Sequence, residues 1–94
     1  MQVAELDVRN PSGLHARPAA QFVKTAAAFR SKVSIENLTR GSKPANAKSL
    51  LAVLACGVEK GHRILVSAEG EDEVAAIEAV RKLADSGFGE ALVG

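Results

Sequence analysis

The stretch Val3-Ala4-Glu5-Leu6-Asp7-Val8-Arg9-Asn10-Pro11-Ser12-Gly13-Leu14-His15-Ala16-Arg17-Pro18-Ala19-Ala20 changes its hydrophobic period partway along. From Val3 to Arg9 the apolar Ala4, Leu6 and Val8 alternate with Glu5, Asp7 and Arg9, the period of two of a half-buried strand. One wet face favours an antiparallel sheet. Asn10 to Gly13 is a cluster of turn formers. Beyond it Ala19, Ala20, Val23, Ala26 and Ala27 recur at helical spacing as far as Phe29. Pro18 falls in the first turn, where its missing N–H costs nothing. A helix is thus predicted to open at His15 or Ala16, leaving unpaired amides and the positive end of the helix dipole beside the imidazole.

The rest of the chain repeats this alternation without a low-complexity linker. Lys32 to Asn37 alternates again with Val33 and Ile35 inward, Leu38 to Lys43 reads as a connecting turn, and Lys43 to Ala47 as a short third strand. Ser49 precedes Leu50, Leu51, Val53, Leu54 and Ala55, a short helix with Ser49 as its N-cap and Gly57 closing it. Arg63 to Glu69 is a strand with Ile64, Val66 and Ala68 on one face. After Gly70, the acidic Glu71, Asp72 and Glu73 suit the first turn of a helix whose stripe is Val74, Ile77, Val80, Leu83 and Ala84, ending by Gly87. The order β-α-β-β-α-β-α predicts an α+β domain, a four-stranded antiparallel sheet with three helices on one face. The two β-α-β segments also leave open a pairing of their strands in parallel, although the turn from Asn37 to Gly41 implies a hairpin.

Composition bounds the function classes. The 94 residues make one domain, and only 3 of them are aromatic although 47% are hydrophobic, so the core is aliphatic and alanine-rich. With 12 Lys and Arg against 11 Asp and Glu the net charge is +1, no footprint for a nucleic-acid binder. The single cysteine, Cys56, reads as a small buried hydrophobe. It forms no internal disulfide, and with no leader-like segment the expected compartment is a reducing cytoplasm. No apolar run approaches the ~18 residues of a membrane span. No ligand cluster has metal spacing and no Gly-rich phosphate loop is present, so neither metal nor cofactor is expected. His62, in the turn Lys60-Gly61-His62-Arg63, reads as solvated.

Chemistry concentrates at His15. On type and position alone, a histidine after Gly-Leu is a surface or capping residue, and Arg17 alone is a solvated helix residue. Together they make an anion site. An imidazole ordinarily titrates near ~6.5, so a neutral ring able to attack phosphorus is available. Arg17 offers a planar fork of donors, and the amides of Ala16 and Arg17 at the helix mouth can face the same oxygens. Leu50, Leu51 and Leu54 span too wide an arc for one buried stripe, which predicts that at least one faces solvent.

The run Gly13-Leu14-His15-Ala16-Arg17-Pro18-Ala19-Ala20-Gln21-Phe22-Val23, with Asn46-Ala47-Lys48-Ser49-Leu50 and Ser67-Ala68-Glu69-Gly70-Glu71-Asp72-Glu73 downstream, closely resembles the HPr family of histidine phosphocarriers of the bacterial sugar phosphotransferase system. The resemblance runs from Val3 to about Glu90. It implies an open-faced β-sandwich, phosphorylation of His15 on Nδ1 by enzyme I, which takes the group from phosphoenolpyruvate, and transfer to a sugar-specific IIA domain. Arg17 would stabilise the phosphohistidine. Ala16, Ala20, Lys24, Lys48, Leu50, Leu51 and Leu54 would surround His15 and meet both partners, a small apolar patch ringed by cations that suits a transient encounter with an acidic surface. Ser49 matches a serine that a dedicated kinase phosphorylates in some bacteria, so a regulatory module acting through Ser49 stands beside the relay and beside the plain N-cap.

The long segment Asn37 to Asn46, the turn Lys60 to Arg63 and the tail Gly87-Phe88-Gly89-Glu90 look more like the HPr domain of fructose-type multiphosphoryl transfer proteins. The resemblance therefore implies a domain over residues 1–90, with 91–94 as tail or start of a linker. It also implies a relay without turnover of its own inside a parent phosphoenolpyruvate-protein phosphotransferase.

Overall fold

A computed structural model describes residues 1–90, and the tail expected over 91–94 lies outside them. The elements follow the predicted order: β1 Gln2–Asp7, α1 Ala16–Ala27, β2 Lys32–Asn37, β3 Ala45–Asn46, α2 Leu50–Ala55, β4 Arg63–Glu69 and α3 Glu73–Asp85. One four-stranded sheet runs β1-β4-β2-β3, with every neighbouring pair antiparallel. The strands flanking α1 are therefore parallel to each other but separated by β4, and those flanking α2 are separated by β2. Among the described residues no strands pair in parallel, the alternative left open by the sequence.

Register places the apolar residues in rows. Ala4, Val66 and Ile35 align across β1, β4 and β2, as do Leu6, Ile64 and Asn37. All but half-buried Leu6 are buried, and the core they join is otherwise mainly aliphatic, with Leu14, Val53, Val58 and Val80 fully enclosed. The opposite face carries Glu5, Leu65 and Glu36 in one row and Asp7 beside Arg63. Arg63 reaches Glu5 at 3.3 Å and Asp7 at 3.9 Å there. These are exposed pairs, each contributing no more than ~1 kcal/mol.

Helical faces depart from the expected stripes. In α1 the buried residues are Pro18, Ala19, Phe22 and Ala26, while Ala20 and Ala27 are exposed. Alanines do not encode a face; the large Phe22 claims the core side. Its ring meets Phe88 edge-on at 6.2 Å and 72°. In α3 the buried face is Ala76, Ile77 and Val80, and Val74 lies outside it, 55% exposed. The third strand shrinks from the expected Lys43 to Ala47 to two residues, because Pro44 lacks the N–H a longer ladder would need. The first strand ends at Asp7 rather than Arg9, and Val8 N–H instead donates to His62 O at 2.9 Å.

The register also sorts the loops. The end of β1, the end of β2 and the start of β4 meet at one end of the sheet, where Asp7 pairs with Arg63 and Asn37 with Ile64. The opposite end holds the turn after α1 and the start of α3. There the acidic run read as a first turn divides: only Glu73 is helical, and Asp72, at the N-cap position, makes no cap bond to α3. Its carboxylate accepts instead from Arg30 N and Ser31 N, both at 2.9 Å, and from the Ser31 hydroxyl.

The Ser31 hydroxyl, with the Arg30 N–H next in weight, holds the Asp72 carboxyl down at about 2. Because this value lies below the ordinary 3.8, the clamp stabilises the fold above 3.8 and is lost as pH falls through about 2. Denaturant unfolding of the wild type and Asp72→Asn should show a stability gap at neutral pH that narrows between 3.8 and about 2 and closes below it. Equal stability at neutral pH would show that the clamp contributes nothing.

Candidate functional site

The segment before α1 is built to turn one side chain inward and the next outward. Leu14 is fully buried and its N–H donates to Val58 O at 2.9 Å. His15 follows with φ −126° and ψ 163°, extended backbone, so its side chain leaves the opposite way and is half-exposed. It occupies the N-cap position of α1 without a side-chain cap bond. Among the described residues its ring has no hydrogen-bond partner, and neither do the N–H groups of Ala16 and Arg17. The expected helix mouth with open amides is thus present.

Two left-handed residues bracket this pair. Gly13 has φ +60° and Ala16 φ +50°. An alanine in that region costs ~1–2 kcal/mol, so the backbone under His15 is held in place by its neighbours rather than by local preference. Arg17 is exposed in the first turn and, among the described residues, in no ion pair. His15 and Arg17 thus flank two free amides, an arrangement able to hold a tetrahedral oxyanion.

The short helix packs beside α1 in the reverse direction. Lys48 Nζ donates to Phe29 O at 2.7 Å, tying the start of α2 to the end of α1, while Leu14 N to Val58 O ties the exit of α2 to the start of α1. At ~1.5 Å per residue α2 is only about 9 Å long, and its exit is the end tied to the turn before His15. Leu50 is 44% and Leu51 81% exposed, whereas Leu54 is half-buried against the core. Ala20 and Lys24 are exposed on α1. Lys48, expected on the cationic rim, spends its ammonium on the Phe29 carbonyl and is half-buried. Ser49 caps α2, its Oγ accepting from Ala52 N at 3.2 Å.

Other contacts at this end were not legible in the sequence. His62, read as solvated, is half-buried, and its Nδ1 accepts from Glu59 N at 3.2 Å and from Asn37 Nδ2 at 3.1 Å. Asn37 also donates to Cys56 O at 3.1 Å and accepts from Arg40 N through Oδ1 at 3.2 Å, joining three loops. Cys56 is buried as expected, and that burial pushes its thiol up. A concavity of about 450 Å³ lies along the β2–β3 edge, between Lys32 and Lys48, not at His15. Among the described residues no three His, Cys, Asp or Glu converge on a metal site, and no helix is long and apolar enough to cross a membrane.

A family model described as the PTS HPr component phosphorylation site matches residues 3–86. The chain is 47% identical over 88 residues to the multiphosphoryl transfer protein of Haemophilus influenzae, covering 94% of this chain and 18% of that protein. Its counterpart in Salmonella typhimurium is 46% identical over 87 residues, 93% of this chain and 23% of that protein. The chain thus spans about a fifth of the length of these relatives. The phosphocarrier protein HPr of Buchnera aphidicola is 49% identical over 74 residues, 79% of this chain and 84% of that one. A crystal structure of HPr-C-His from Thermoanaerobacter tengcongensis superposes with a TM-score of 0.91 at 43% identity, covering 98% of this chain and all of that one.

The backbone beneath His15 can be probed at Gly13. A Cβ there would stand 2.4 Å from Val58 O and 2.6 Å from Glu59 Cα, both unyielding backbone atoms. Gly13→Ala should therefore destabilise the protein by more than the ~1–2 kcal/mol of a left-handed alanine alone, read as a drop in melting temperature. An unchanged melting temperature would show that the loop relaxes freely.

Proposed function

The chain belongs to the HPr family, and on that premise we propose that it accepts a phosphoryl group on His15 from phospho-enzyme I and passes it to a sugar-specific IIA domain. The observation that carries the reading is the half-exposed, unpartnered imidazole set over the open amides of Ala16 and Arg17 at the mouth of α1. The neutral ring attacks phosphorus through Nδ1, the nitrogen the family resemblance implies. The new P–N bond forms as the bond to the leaving group on enzyme I breaks, with attacking and leaving atoms in line. Negative charge on the equatorial oxygens is met by the Arg17 guanidinium and the two amides, which need little reorganisation. Donation to the IIA domain is the same step reversed, so the carrier ends unchanged.

Docking falls to the exposed apolar face of α2 with Leu50 and Leu51, extended by Ala16 and Ala20 and rimmed by Lys24. Leu54 and Lys48 serve from beneath, the one packed on the core and the other closing α1. A face of this size suits a weak, fast-exchanging contact with an acidic partner. Similarity to multiphosphoryl transfer proteins supports a role of residues 1–90 as one module of a multidomain phosphotransferase; the cytoplasmic setting and a fructose-type IIA domain as acceptor are what the family resemblance implies. Ser49 is a second, regulatory position. A serine kinase acting there would turn a neutral cap into a dianion beside Leu50 and repel an acidic partner.

Incubation with enzyme I and phosphoenolpyruvate should add one acid-labile, base-stable phosphoryl group, and His15→Ala should abolish it. Arg17→Ala should slow transfer by about 10²-fold, the scale of losing one oxyanion donor. Absence of labelling with an active enzyme I overturns the reading. Leu51→Glu changes a side chain that is 81% exposed. It should raise the KM for enzyme I about tenfold while leaving kcat and melting temperature near wild type, the mark of lost uniform binding.

A further inference from the structure

The tail Gly87-Phe88-Gly89-Glu90 bends sharply back. Gly87, Phe88 and Gly89 are all left-handed, with φ +76°, +54° and +82°. For phenylalanine that backbone costs ~1–2 kcal/mol, offset by a fully buried ring lodged against Phe22 of α1. Gly89 sits where a Cβ would press Gln21 Cγ at 3.3 Å, and Glu90 N–H returns to Gly87 O at 3.0 Å.

This geometry carries the Glu90 carboxylate to the turn that leads into His15. Oε1 accepts from Ser12 N at 2.9 Å and Asn10 Nδ2 at 3.1 Å, and Oε2 from the Ser12 hydroxyl at 2.7 Å. The buried Asn10 meanwhile donates to Gly13 O at 2.7 Å, and among the described residues its Oδ1 has no partner. The Ser12 hydroxyl, its N–H and the Asn10 amide together hold the Glu90 carboxyl below its usual range. The carboxylate is therefore charged, and three donors converge on it.

We propose that Glu90 is a positioning residue for the phosphorylation of His15, its carboxylate fixing the Asn10–Gly13 turn and so the direction in which the imidazole leaves the mouth of α1. The inference rests on the reading of His15 as phosphoryl acceptor. Two consequences separate it from simple stitching of a tail. Ser12, three residues before His15, has its hydroxyl and amide committed to Glu90, so they do not compete with Ala16, Arg17 and the Arg17 guanidinium for the incoming phosphoryl oxygens. Glu90 also contacts the turn and not the exposed leucines of α2, so its loss should act on the chemical step rather than on docking.

The test compares wild type, Glu90→Gln and Glu90→Ala as substrates of enzyme I with phosphoenolpyruvate, alongside melting curves and the amide and imidazole NMR signals of the unphosphorylated proteins. Glu90→Ala should lower kcat about tenfold with KM within about twofold, the scale expected for a misplaced reacting group. The amide signals of Ser12 and the ring signals of His15 should shift. Glu90→Gln keeps an oxygen for Asn10 and Ser12 N–H but loses the carboxylate oxygen facing the Ser12 hydroxyl. It should fall between the two, and it carries the test if Glu90→Ala does not fold. Wild type labelled on His15 with both variants at its kcat, or with KM alone changed, overturns this proposal and leaves the carrier reading standing. Failure of wild type itself to be labelled overturns both.

Discussion

The structure depends on the double pairing of Arg63–Glu69, which bonds to Gln2–Asp7 on one side and Lys32–Asn37 on the other. A strand that enters the sheet last but lies between two earlier strands forces the chain to cross over it through α1 and to cross β2 through α2. Helices then collect on the face that shows Ala4, Ile35 and Val66, because its rows are almost wholly apolar whereas the opposite rows set Leu65 among Glu5, Glu36, Asp7 and Arg63. The same register brings the ends of β1 and β2 together with the start of β4. The turn leading into His15, the exit of α2 and the loop holding Asn37 and His62 are therefore neighbours by topology. With thirteen residues, α3 starts at the Asp72 end, and the tail emerges beside the turn preceding His15.

How much of this could be read from the sequence followed the strength of its periodicity. Arg63 to Glu69 matched residue for residue, because a strict alternation with one wet face admits a single reading. The opening of α1 was legible too, since Asn10 to Gly13 breaks the strand and Pro18 fits only a first turn. The face of α1 was not, because alanine fits buried and exposed sites alike and only Phe22 discriminates. At the site, His15, Arg17 and the free amides were local features and visible in one heptapeptide. Glu90 was not: its partners lie 78 and 80 positions away, and no local pattern marks a carboxylate that will be needed there.

Charge is used in two distinct ways. Asp72 and Glu90 each accept from backbone N–H groups and hydroxyls across the fold, fixing one turn apiece at opposite ends of the sheet. Arg63, Glu5 and Asp7 neutralise one another on the open face. The only charged side chains on α1 and α2, Arg17 and Lys24, are cationic and, among the described residues, in no ion pair. A protein of net charge +1 thereby presents a locally positive face, which speeds encounter with an acidic surface without the nonspecific affinity of a basic protein.

The brevity of β3 bears on a different matter, how the sheet ends. Only Ser34 and Ile35 find ladder partners in Ala45 and Asn46, yet the outer rim of β2 is not left open. Val33 O accepts from Ala47 N, Asn37 N donates to the Ser42 hydroxyl, and Asn37 O receives the N–H groups of Gly41 and Ser42. The loop finishes by side chain and turn what a longer strand would have finished by ladder, and Pro44 deprives that rim of one more donor. At the far rim, β1 relies on Glu5 and Asp7 instead, since charges resist a second strand laid alongside. One rim of the sheet is thus closed by loop hydrogen bonds and the other carries charged side chains, two different ways of discouraging a second strand from pairing there.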